Sequence, residues 1–228
     1  MSRAAFIGLL LAAGTARALP VDRTIELSPG DPQFVRQNYV EAFEVDPPDL
    51  CRAEQMKTLE ILLTPRRVGE GLLYLYEEGR LEVFRLVVRD PKSPAPERPA
   101  DAALLKAART VCPEVDDHFV EGEHFLHAQI PDGICRAACL ALLAANPYDA
   151  GHLRLVFGIP ALQAQLGAMQ ERLRAAGVDG ITLTYAGATL TMKGKATPEL
   201  RHRALKAIWP VTVGRLNVED ETEDPGAK

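Results

Sequence analysis

The apolar positions of this chain change period along its length, and the changes divide it. From residue 19 to residue 90 they follow the two-residue repeat of strands. "RTIELSPG" alternates and ends in a Pro-Gly turn. "FVRQNYVEAFEVDPP" is an extended run closed by two prolines, and "TLEILLTP" is a Leu-rich run stopped by Pro65. "GEGLLYLYEEGRLEVFRLVVRD" predicts a hairpin around Gly79, which is free to take a positive φ. Two sheets folded face to face would bury Ile25, Leu27, Val35, Val45, Leu59, Ile61, Leu63, Leu73, Leu75, Val83, Leu86 and Val88. That is the pattern of a small β-sandwich.

After "DPKSPAPERPA", with its four prolines and no apolar period, helical and strand periods alternate. Residues 91–100 therefore read as a semi-rigid linker and a domain boundary. "ADAALLKAARTVC" is an amphipathic helix with Asp101 as a plausible N-cap, "DHFVEGEHFLHAQI" a hairpin, "DGICRAACLALLAAN" a helix and "HLRLVFG" a strand. The order then repeats. "ALQAQLGAMQERLRAAG" is a helix, "GITLTYAGATLTMKG" a hairpin, "TPELRHRALKAI" a helix capped by Thr197 with Pro198 at its first position, and "VGRLNVED" a strand. The expected fold class is α+β: a small N-terminal β-sandwich over 19–90, then αββαβ modules at 101–159 and 160–219, then an acidic, disordered tail at 220–228.

The second hairpin is empty of chemistry. Ile181, Leu183 and Tyr185 share one face and Thr182 and Thr184 the other; beyond the turn Leu190 and Met192 oppose Thr189 and Thr191. The four threonines are expected to face water or another subunit. The helix that follows puts Leu200, Ala204, Leu205 and Ile208 inward, leaving Arg201, His202, Arg203 and Lys206 on a solvated face. Arg201 and Arg203 join the threonines as candidates for partner contact. Trp209, the one tryptophan, reads as a core anchor before the helix-breaking Pro210.

The N-terminus alters how the rest is read. One positive charge in "MSR", the apolar core "AAFIGLLLAAG" and the small residues Ala16 and Ala18 predict a signal peptide over residues 1–18, cleaved after Ala18. The apolar run is short of the ~20 residues needed to span a bilayer. The expected location is the periplasm. There an even number of cysteines suggests disulfides, with buried free thiols or a zinc site as the other readings. Antiparallel helices on one sheet face would bring Cys112, ending the first helix, to Cys135, starting the second. Cys51 would then be free or bridge to Cys139. A net charge of −5 argues against a nucleic-acid partner. Nor is there a Lys/Arg run for an anionic membrane surface, so membrane contact is expected to be indirect.

No familiar catalytic motif is present, so an enzyme is not expected, nor a cofactor or metal. The nearest thing to a site is His118, Glu121, Glu123, His124 and His127 beside Asp116 and Asp117. His124 and His127 would point to opposite faces of a strand, which makes them poor co-ligands.

Two resemblances complete the picture. Residues 22–90, through "IELSPG", "VEAFEVDPPDLCRAE" and "LEILLTPRRVGEGLLYLYEEGRLEVFRLVVRD", resemble the N-terminal domain of secretins from Tad-type pilus assembly systems; Val45, Asp46, Pro47, Gly69, Gly71, Gly79, Val87 and Val88 carry the pattern. "GATLTMKGKATPELRHRALKAI" is similar to BON-type modules, with Gly187, Leu190 and Gly194 in place. Residues 101–158 share only the order of elements. In such secretins these domains form periplasmic rings beneath an outer-membrane barrel. The resemblance implies a scaffold or adaptor without residues for the barrel itself, partnered by a secretin, by other pilus or secretion components, or by its own copies in a ring. The alternative it implies is a stand-alone BON-type phospholipid or envelope-binding protein.

Overall fold

The structure, a computed structural model, describes residues 21–226 except 37–39, 58–59, 78, 91, 93–101, 113, 121–122, 146–147, 149, 188 and 214–216. The expected signal peptide, nearly all of the Pro-rich linker, Leu59 and Asp101 lie outside the described residues. The fold is mixed α+β.

The strands of the first part are β1 (Arg23–Leu27), β2 (Gln33–Arg36), β3 (Ala42–Asp46), β4 (Cys51–Gln55), β5 (Glu60–Pro65), β6 (Gly69–Glu77) and β7 (Arg80–Val88). They form two sheets, ordered β1-β7-β6-β3 and β2-β5-β4. Leu27, Val35, Ile61, Leu63, Leu73, Leu75, Leu86 and Val88 fill the space between them, as the alternation requires. Val83 does not. It pairs with Tyr74, one register step from the Leu73–Phe84 pair, and a single step turns a side chain to the opposite face. With Leu72, Tyr74 and Tyr76 it faces away from the sandwich core and into a second one.

The remaining elements are α1 (Ala102–Val111), β8 (Asp116–Val120), β9 (Glu123–Ile130), α2 (Gly133–Ala145), β10 (Leu153–Phe157), α3 (Ile159–Ala175), β11 (Ile181–Ala186), β12 (Thr189–Lys195), α4 (Pro198–Ile208) and β13 (Val218–Glu223). The two halves repeat one topology. In each, a hairpin is joined by a third strand that lies parallel to its second strand: β10 on β9, β13 on β12. Parallel pairing needs a crossover, and α2 and α4 supply it. Asp132 caps α2, its Oδ1 accepting from the backbone N–H groups of Ile134 and Cys135 at 2.9 Å. Thr197 caps α4 by accepting from Leu200 N–H at 3.3 Å.

The last strand extends further than its apolar pattern implied. Residues expected in a disordered tail form most of β13, paired with β12 as far as Glu223. Val218, Asp220 and Thr222 are half-buried, while Glu219, Glu221 and Glu223 alternate outward. Lys193 and Glu221 meet across the strands at 2.7 Å. A charged sequence of period two, set beside a lysine-bearing strand, is an edge strand.

The cores decide how the parts sit. Met169 and Leu173 of α3, Ala204, Leu205 and Ile208 of α4, Leu183 of β11 and Leu190 and Met192 of β12 form one cluster with Leu72, Tyr74, Tyr76 and Val83 of the sandwich. Helices α3 and α4 thus lie between the β11-β12-β13 sheet and the outer face of the four-stranded sheet. A separate core lies under the β10-β9-β8 sheet, and Leu140 of α2 packs against both.

Candidate functional site

What this fold leaves uncovered is the outer face and outer strands of each small sheet. On the β11-β12-β13 sheet, Thr182 and Thr184 are exposed and Thr189 is half-buried. Thr191 departs from expectation: it is 4% exposed. It sits on the central strand with Thr184 on one side and Glu219 on the other, so its neighbours cover it. It cannot contact a partner without their movement.

The basic face of α4 is corrected more strongly. His202 stacks on Tyr76 with ring centroids 4.2 Å apart, and its Nε2 lies 3.1 Å from Glu41 Oε2. Lys206 Nζ donates to Glu44 Oε1 at 2.5 Å and sits 4.9 Å from the centre of the Tyr74 ring. Arg201 lies 3.6 Å from Asp220, with both side chains largely buried. The expected solvated face is therefore an internal seam against the sandwich, because β3 presents Glu44, and Glu41 just precedes it, where α4 presents its cations. Of the two arginine candidates only Arg203 is exposed.

A second seam was invisible in the sequence. Arg136 of α2 is 7% exposed and Gln165 of α3 is 3% exposed. Gln165 accepts from Val213 N–H at 3.0 Å and donates to the Tyr185 hydroxyl at 2.7 Å, while Arg136 Nη2 donates to the Val211 carbonyl. Burial lowers the Arg136 pKa from its ordinary value and raises that of Tyr185. The network ties α2, α3, β11 and the segment before β13 together. Nothing in the spacing of an Arg and a Gln 29 residues apart announces it.

The outer face of β8-β9-β10 has different chemistry. Register places Asp116 opposite His127 and His118 opposite Phe125. His118 Nδ1 lies 3.0 Å from Asp116 Oδ2, its ring stands edge-on to His127 at 5.2 Å, and His152 packs on Phe125 at 4.4 Å. The structure thus unites Asp116, His118 and His127 and adds His152, which the sequence reading had not grouped with them. Glu121 and the side chains of Glu123 and His124 lie outside the described residues. At the C-terminal ends of β9 and β10 the same module exposes Ile134, Val156 and Ile159, at 67%, 63% and 72%. Apolar side chains this bare, gathered at one end, mark a contact surface. No described helix is long and apolar enough to cross a membrane.

The Cys112–Cys135 bond is present, with Cα atoms 5.1 Å apart, where antiparallel α1 and α2 bring it. The alternative Cys51–Cys139 bridge is not. Cys51 lies in the sandwich core and Cys139 in the core under β8-β9-β10, both as buried free thiols. Burial penalises the charged thiolate and pushes both up to about 11. At pH 7 the thiolate fraction is then on the order of one in ten thousand. Iodoacetamide at pH 7 is expected to leave both unmodified in the native protein and to label both in denaturant. Native labelling at the rate of an unstructured cysteine peptide would contradict this burial.

No protein-family model and no curated protein matches this sequence.

Proposed function

We propose that this protein is a non-enzymatic periplasmic scaffold or adaptor of a Tad-type pilus or related secretion machine, forming or docking onto a secretin ring. The observation that carries the reading is the repeated αββαβ unit. Each copy covers one sheet face with helices and leaves the other face and its outer strands open. Open strands and faces are what one subunit offers the next in a ring. The pilus-secretin resemblance of residues 22–90 and the BON-like hairpin around Gly187 and Gly194 supply the class of machine. The Cys112–Cys135 bond suits an oxidising compartment.

Its test is assembly. The mature chain, residues 19–228, is expected to oligomerise or to co-sediment with a purified secretin periplasmic region. A Val156→Glu/Ile159→Glu variant is expected to weaken that association at least tenfold while leaving the thermal midpoint within ~2 °C, since exposed substitutions change stability little. A strict monomer that binds no secretin region would defeat the proposal.

The phospholipid reading has one observation in its favour. Arg172, Ala175, Ala176, Lys206, Ala207 and Pro210 line a cleft of about 270 Å³ between the ends of α3 and α4. Lys206 is already engaged by Glu44, which weakens the cleft as an anion site. Binding to phosphatidylglycerol vesicles, lost in Arg172→Ala, would favour this reading over the scaffold.

A further inference from the structure

Three sulfurs converge in the first module. Among the described residues, Cys112, Cys135 and Cys139 form the group of potential ligand side chains whose sulfur atoms all lie within 4.8 Å of one another. All three are 0% exposed. The arrangement follows from helix geometry. Cys135 and Cys139 are four residues apart on α2 and share one face, so successive turns present them to the same neighbour. That neighbour is Cys112, at the end of α1, whose N–H donates to the Ala108 carbonyl. One sulfur has two possible partners.

We propose that these residues form a thiol–disulfide exchange site, in which Cys112 is the shared partner and bonds alternately to Cys135 or to Cys139. The step is closed in atoms and electrons. The Cys139 thiol loses its proton, and the thiolate attacks Cys112 Sγ. The Cys112–Cys135 bond breaks as the Cys112–Cys139 bond forms. Cys135 leaves as a thiolate and takes up the proton. One disulfide and one thiol stand on each side, so no external oxidant or reductant is consumed.

A second contact prepares the product. Cys135 Sγ lies 3.3 Å from the Gln129 carbonyl oxygen. While Cys135 is in the disulfide it has no proton to donate there. Once released, its S–H has an acceptor already in place. The leaving thiol is thus accommodated at the end of β9 without opening the core.

The consequence is that α1 stays tied to α2 in either state, while the reactive thiol moves one helical turn. Burial holds Cys139 protonated, pushed up to about 11, so exchange is slow at neutral pH. It should accelerate about tenfold per pH unit below that value.

The sequence makes the test direct. No Lys or Arg lies between Thr110 and Cys135, so trypsin leaves Cys112 and Cys135 in one peptide, Thr110–Arg136. Cys139 lies in the next, Ala137–Arg154. The native bond is internal to one peptide; the exchanged bond joins two. Wild-type protein held native at pH 9, quenched in acid, alkylated and digested is expected to show both species, with Cys135 alkylated in the joined one. A Cys135→Ser variant folded under oxidising conditions is expected to carry the Cys112–Cys139 bond, leaving only Cys51 to alkylate. The proposal is overturned if prolonged incubation of wild type at pH 9 yields only the internal bond. It is equally overturned if the folded variant has Cys112 and Cys139 both free.

Discussion

Replacing Gly194 with alanine is expected to destabilise the protein by at least ~3 kcal/mol, lowering the thermal midpoint by roughly 10 °C. Gly194 has φ +133°, a conformation that side-chain-bearing residues avoid. It pairs with Ile181 where β11 starts and β12 ends. A Cβ at this position would lie 1.9 Å from the Gly180 carbonyl oxygen and 3.0 Å from its carbon. Both are backbone atoms of the paired strand, so neither can turn aside as a side chain would. Relief requires β11 and β12 to separate, and Leu183, Leu190 and Met192 would leave the shared core with them. Gly187 is the control. Its φ is +64°, but nothing lies within 4 Å of an added Cβ. Gly187→Ala should cost only the ~1–2 kcal/mol of left-handed backbone. Thermal denaturation followed by circular dichroism separates the two. Equal midpoints for the two variants would show that the close approach of the strands does not matter.

The special character of Gly194 was legible in the sequence because the glycine interrupts an otherwise strict alternation. So were the repeated αββαβ order and the Cys112–Cys135 pairing, because each follows from local period and helix packing. The seams between parts were not legible, since side chains 20 to more than 160 residues apart make them. One signal was available and easily passed over. "LLYLY" in β6 does not alternate apolar with polar, and its six residues from Gly71 to Tyr76 are all buried. A strand apolar on both faces is covered on both faces, so the sandwich had to carry a second layer. That layer is α3 and α4. It explains why His202 and Lys206 are half-buried, although a wheel drawn for α4 alone puts them in water. The interaction candidates fared according to the same distinction. Thr182 and Thr184 were read correctly because strand alternation decides their exposure. Thr191 and Arg201 were not, because neighbouring strands and a distant sheet decide theirs.

Substituting Trp209 tests whether the sandwich and the second module are one body. Trp209 is 9% exposed and stands edge-on to Tyr74, with ring centroids 5.8 Å apart and planes at 89°. That geometry favours aromatic pairs, and the ring also fills the core at the end of α4. Trp209→Ala removes the contact and leaves a cavity between α4 and β6. The expected loss is about 3–5 kcal/mol. Trp209→Phe keeps an aromatic surface against Tyr74 and should lose much less. The size of the loss matters less than its form. The remaining links across this seam are His202 with Glu41 and Tyr76, and Lys206 with Glu44. Partly exposed pairs of this kind contribute about 0–1 kcal/mol each. They cannot hold the halves together once the tryptophan is gone. Trp209→Ala should therefore unfold in two steps where the wild type unfolds in one, and limited proteolysis should cut within residues 91–100 more readily. A single transition with a loss below 1 kcal/mol would mean that the two parts are joined elsewhere. A scaffold must pass load between its parts, and in this chain that load would cross the Tyr74–Trp209 contact.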